Sequence, residues 1–233
     1  MACAEPSSSW PPYAPWPDIL EISDILEIYR GVEFYFGMEL KEIVSGIDAL
    51  FSELVVVTGL LGQSALRSDP ALLDEADTIL PRVRRLGDDL CRELSKSAAS
   101  EPAALKYISI PGHVERVCDH FEDASRLLRR KALEDIYFSD KAQEEMNYLF
   151  EKLRDMFSEA AGMLLAGDAF IAGYVGRTGL SVSKSAGAFA ALHEERLREG
   201  ICLPRASSVY LSLLEGVKAV AWHLMEMIRD FLE

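Results

Sequence analysis

Residues 139–160, SDKAQEEMNYLFEKLRDMFSEA, decide the fold class. Met146, Leu149, Phe150, Leu153, Met156, Phe157 and Ala160 recur at steps of three and four, the period of one helical face, with charged residues between them. Ser139-Asp140 stands in front as a cap, and Gln143 follows Asp140 by three residues, completing a capping box. The same stripe recurs as Val114, Val117, Cys118, Phe121, Ala124 and Leu128, and as Leu213, Val217, Val220, Ala221, Leu224, Ile228 and Phe231. Strand-type alternation is absent, so the chain reads as all-α. Stripes of this kind face a core.

Punctuation sets the helix boundaries. Asp69-Pro70 supplies an N-cap with proline at the first helical position, and Ser100-Glu101-Pro102 repeats the pattern. Gly200 followed by Pro204 marks a stop and a restart. The expected helices cover 19–29, 33–67, 70–97, 101–133, 140–166, 168–199 and 204–232. Asp69 ends one long helix and opens the next, and Asp168 does the same 99 residues later. Glu115 follows Asp69 by 46 residues and Glu215 follows Asp168 by 47. Matched punctuation of this kind points to a duplicated three-helix unit. The first unit spans 19–135 with a leading helix and the second 136–233, related by a rotation that brings residues near 115 onto those near 215. Together they make a bundle with one continuous core. Residues 1–18 carry Pro6, Pro11, Pro12, Pro15 and Pro17 and a Ser7–Ser9 run, and read as an extended or disordered arm bearing Trp10 and Trp16.

Composition narrows the function. Asp and Glu outnumber Lys and Arg 38 to 24, a net charge of −14 that repels phosphate backbones and anionic headgroups. Nucleic acid and direct membrane insertion are therefore not expected. Val55–Leu61 is the most apolar run and is short of the roughly 20 residues that span a bilayer. The start of the chain lacks the basic and apolar regions of a signal peptide, so a cytoplasmic location is expected. Cys3, Cys91, Cys118 and Cys202 are scattered and form no CxxC pair, so they read as reduced, inert thiols rather than a disulfide framework or zinc knuckle.

The segment with most chemistry is Gly112–Asp123, GHVERVCDHFED. At about 100° per residue, Glu115, Asp119, Glu122 and Asp123 share one flank of the helix, away from Val114, Val117 and Phe121. Glu115 and Asp119 lie one turn apart and can converge on one cation, with Asp123 a further turn on. The alternative is an ordinary solvated acidic face, as at Glu151/Asp155 and Glu226/Asp230. None of His113, His120, His193 and His223 has a Glu three positions before it, so a di-iron bundle site is not indicated. Each histidine reads as a surface or boundary residue. No nucleophile–base constellation and no glycine-rich phosphate loop occurs, so the chain is not expected to be an enzyme.

The segment HVERVCDH resembles the LERIGDH signature of PhoU proteins, regulators associated with phosphate uptake. The resemblance spans about residues 33–233. Phe138-Ser139-Asp140, Met156 and Gly167-Asp168 are similar to the start of that family's second repeat. His193-Glu194-Glu195-Arg196-Leu197 and Tyr210-Leu211 look like the variant fused behind sodium–phosphate cotransporters. The resemblance implies metal-binding motifs of Glu/Asp-x-x-x-Asp type, here Glu115 and Asp119, holding a divalent or trivalent ion such as iron or zinc. The chain departs from the pattern at Ala219, four residues after Glu215, and at Pro81, four after Asp77.

The resemblance further implies a non-catalytic regulator of phosphate uptake, with a phosphate transporter or its regulatory proteins as partner; long helical faces also allow a homodimer. A metal-binding bundle centred on Glu115 and Asp119, or a helical adaptor unrelated to phosphate, are the other readings.

Overall fold

Helix caps and apolar stripes produce six long helices in the computed structural model, which describes residues 38–232 except Ala99 and Glu101. The helices are α1 (Met38–Arg67), α2 (Pro70–Ser97), α3 (Ile110–Leu133), α4 (Asp140–Ala166), α5 (Ala169–Arg198) and α6 (Pro204–Leu232), with a 3₁₀ turn over Pro102–Tyr107. No strand occurs among the described residues. The arm at 1–18 and the helix expected at 19–29 lie outside them.

The caps work largely as their chemistry dictates. Asp69 accepts from the Ala71 N–H at 3.0 Å, and Asp168 accepts from the Phe170 and Ile171 N–H groups at 2.8 and 3.4 Å. Both satisfy donors that the first helical turn leaves open. At α4 the cap is Ser139, whose Oγ accepts from Ala142 N–H at 3.3 Å. Gln143 does not close a box with Asp140; its amide donates to the Phe138 carbonyl at 3.1 Å. Gly167 ends α4 at φ 65°, a conformation that suits glycine.

One boundary differs from expectation. Instead of a continuous helix over 101–133, the chain makes the 3₁₀ turn and starts α3 at Ile110. Pro111 explains the break, because proline lacks the N–H an interior turn requires and is tolerated only in the first turn. Tyr107 then anchors the 3₁₀ turn, its hydroxyl donating to the Leu164 carbonyl at 3.3 Å.

The packing treats the two sets of three helices alike. α1 lies on α4 and α3 on α6, corresponding helices of the two sets, while α2 covers α1 and α3, and α5 covers α4 and α6. The described residues fall within one compact unit. At its centre Phe157 of α4 meets Phe51 of α1 edge-on at 6.2 Å and Phe121 of α3 at 5.9 Å. Every residue of the three stripes is buried.

The expectation that no segment is long and apolar enough to span a membrane is corrected by α1. From Glu42 to Arg67 it meets that test by length and composition. Interspersed Gly, Ser and Thr extend the neutral stretch beyond the short valine–leucine run. Ile43, Ile47, Leu50, Phe51, Leu54, Val57 and Leu61 of this helix are buried in the bundle, as the core helix of a protein interior is.

α1 and α4 approach closely at Gly62, where an added Cβ would sit 2.9 Å from the Phe150 Cβ. Gly59, one turn away, has nothing within 4 Å. Gly62→Ala should therefore destabilise the protein by about 1–3 kcal/mol through overpacking. Gly59→Ala should be neutral or stabilising by up to about 1 kcal/mol through helix propensity. Urea denaturation of both variants checks the contrast, and equal midpoints would refute the close contact.

Candidate functional site: an acidic face closed by an arginine

α3 presents Glu115, Asp119 and Glu122 toward α2, as the helical spacing requires, and α2 answers with Arg84. Its guanidinium pairs with Glu115, donates to Asp119 at 2.9 Å, and donates to Glu122 through Nε at 3.2 Å. Arg116 adds a longer contact to Asp119 at 3.4 Å. Asp123 turns away from this group and pairs with Arg126 on its own helix. Of the three residues expected to ligate a metal, the structure thus brings Glu115 and Asp119 together and leaves Asp123 apart.

The electrostatics follow from this geometry. The Arg84 hydrogen bond holds the Asp119 carboxyl below its usual range, against partial burial. Burial opposes the charge of Arg84, but Asp119 and Glu122 outweigh it and raise its pKa. Cys118, buried directly behind, is pushed up to about 12 by burial and stays a thiol. Cys202 is also buried and unpaired, while Cys91 is exposed.

A second ladder joins the same two helices with the polarity reversed. Arg129 of α3 donates to Asp74 and Asp77 of α2 at 2.9 and 2.7 Å, and Ser125 donates to Asp77 at 2.7 Å. Asp77, four residues before Pro81, is thereby engaged within the bundle. In the other half, Glu215 pairs with Lys218, and Ala219 offers no side-chain oxygen.

Whether a metal fits can be judged on these contacts. The oxygens that would face it are already bonded to a guanidinium carrying the same sign of charge as a metal ion. Among the described residues no three His, Cys, Asp or Glu side chains are arranged to hold one. So arranged, Glu115, Asp119 and Asp123 do not fit a metal centre, and a metal would have to displace Arg84.

The motif at 193–197 and Tyr210 form a different site. Glu145 of α4, 2% exposed, receives both terminal nitrogens of Arg196 at 2.9 and 2.7 Å and the Tyr210 hydroxyl at 2.5 Å. His193 stacks on the Tyr210 ring at 4.6 Å, and its Nε2 lies 2.9 Å from Ser207 Oγ. Expected at a boundary, His193 is instead 1% exposed, because the stripe of α5 turns it inward onto α6. Burial, with Arg196 nearby, lowers its pKa and keeps the ring neutral. His113, His120 and His223 are half-buried on the α3–α6 seam, as boundary residues should be. Burial, with His113 and His120 alongside, pushes His223 down to about 4.

Sequence reading found the acids of α3 but missed Arg84, Arg129 and Glu145. The available signal was complementary charge on adjacent helices. Choosing partners needed the helix packing, since these residues lie 31 to 55 positions from their counterparts.

Two outcomes follow. Arg84→Gln should raise the affinity for Tb³⁺, a hard ion suited to carboxylates, and adding Asp119→Asn should abolish the gain, as read by calorimetry. Unchanged Tb³⁺ binding in Arg84→Gln would show that this guanidinium does not withhold the oxygens. Arg196→Leu, which strands the Glu145 charge in the core, should cost about 3–5 kcal/mol by denaturant unfolding; a loss below about 1 kcal/mol, the worth of an exposed pair, would contradict burial of the network.

Similarity to known proteins is confined to structure. No protein-family model and no curated protein sequence matches the chain. Among solved structures, the crystal structure of PhoU from Pseudomonas aeruginosa matches with a TM-score of 0.73 and 16% identity, covering 83% of this chain and 95% of that one. Six helices in this order, packed as two matching sets of three, give this chain a PhoU-like fold.

Proposed function

We propose that this chain is a cytoplasmic, non-catalytic regulator of phosphate uptake, acting by contact with a phosphate transporter or its regulatory proteins. The observation that carries the reading is the match in fold to PhoU over nearly that whole chain. The acidic face of α3 supports a structural rather than a catalytic role, because its carboxylates are engaged by Arg84. The net charge of −14 argues against nucleic acid as the partner.

The outer face of α5 is the surface best suited to such contact. Between Asp168 and Glu194 its only charges are Arg177 and Lys184. Phe170, Tyr174, Leu180 and Leu192 are exposed along the same stretch, Phe170 by 73%. Apolar side chains grouped on an otherwise charged surface mark a place where another protein binds.

Phe170→Glu together with Leu180→Glu should leave helicity and melting temperature unchanged while removing co-purification of phosphate-transport components from a detergent-solubilised native lysate. Capture of those components by the doubly substituted chain would exclude this face. Their absence from the capture by the unsubstituted chain would contradict the phosphate reading and leave an adaptor of another kind.

A further inference from the structure

Where α3 crosses α6, the two halves bring three imidazoles and an indole together. The ring of His223 lies 5.3 Å from that of His113, 5.7 Å from that of His120 and 4.7 Å from that of Trp222. The Nδ1 atoms of His113 and His223 face one another at 3.0 Å. On the far side of His113, Asp230 Oδ2 lies 3.5 Å from Nε2. All of these side chains are partly open to solvent.

Two facing ring nitrogens at hydrogen-bond distance share one proton, so one of them presents a lone pair. Asp230, at 3.5 Å, favours the proton on His113 Nε2, which leaves the His113 Nδ1 lone pair toward His223. His223 then supplies the shared proton from its own Nδ1. If that proton moves through solvent to His223 Nε2, both Nδ1 atoms present lone pairs and both rings stay neutral, and an ion bound to both would sit to one side of the line that joins them. Two nitrogens about 2.0–2.1 Å from one metal stand about 2.9 Å apart in a square-planar arrangement and about 3.3 Å apart in a tetrahedral one. The observed separation falls between these values.

We propose that His113 and His223 chelate one borderline transition-metal ion, Zn²⁺, Ni²⁺ or Cu²⁺, through their Nδ1 atoms, clipping the first half of the bundle to the second. Imidazole nitrogen selects these ions over the hard cations that carboxylates favour. The remaining coordination positions belong to water, since no third ligand is in place among the described residues. The site is separate from the acidic face: His113 and Glu115 are two residues apart, about 200° around the helix.

Trp222 supplies the readout, its ring 6.1 Å from that of His113. In the full chain carrying Trp10→Phe and Trp16→Phe, Trp222 is the remaining tryptophan. Cu²⁺ should quench its fluorescence saturably with one-to-one stoichiometry, and Zn²⁺ should compete. His113→Gln and His223→Gln should each weaken the quenching affinity more than about ten-fold, with Asp230→Asn weakening it about ten-fold as an orienting residue does. Asp119→Asn should leave it unchanged. Zn²⁺ should also raise the melting temperature of the unsubstituted chain but not that of His113→Gln. If His223→Gln does not fold, His113→Gln decides the matter. Quenching that fails to saturate in the parent chain, that survives the histidine substitution, or that disappears with Asp119→Asn overturns the proposal.

Discussion

The burial of Phe157 between Phe51 and Phe121 is the contact on which the rest of the structure depends. An amphipathic helix buries only a stripe, and three such helices cannot cover one another's apolar faces completely. Placing an α4 aromatic ring between rings of α1 and α3 makes the two halves share a core. The close pairs α1–α4 and α3–α6 follow from that sharing, and α2 and α5 are left as outer covers. Closeness at Gly62 is a consequence of the same seam.

Polar groups are then sorted by their distance from this core. Near it, Glu145 is held by Arg196 and Tyr210, and Lys131, 3% exposed, lies over the Phe138 ring with its ammonium donating to Ser68. Such groups are costly to bury alone and make the arrangement specific only when every partner is present. Farther out, Arg84 and Arg129 hold α2 to α3 through pairs of modest individual strength that act together. The α2–α3 seam is thus charged while the α1–α4 seam is apolar. That division explains why the acidic flank of α3, though about half exposed, is bridged to a neighbouring helix.

Local chemistry made much of this legible in the sequence. Asp69, Asp168 and Ser139 cap helices because their side chains reach N–H groups two or three residues away, which sequence proximity guarantees. The stripes were legible because helix geometry alone fixes which residues share a face. Pro111 was the missed local signal, and reading it as a first-turn residue would have placed the start of α3. The site was legible by half: Glu115 and Asp119 share a flank by spacing, but Arg84 reaches them only through packing. His113 and His223 meet across 110 residues, a contact that spacing does not encode. The resemblance carried in HVERVCDH foretold the fold, whereas its carboxylate motif proves to be occupied by an arginine.

The claim that this bundle acts on phosphate uptake is tested most directly in the cell. Uptake of radiolabelled phosphate would be compared in cells with and without the chain, each grown in scarce and in abundant phosphate. The account predicts that removal of the chain uncouples uptake from phosphate supply, and that the unsubstituted chain restores the coupling. Identical uptake under both conditions in both strains would contradict it.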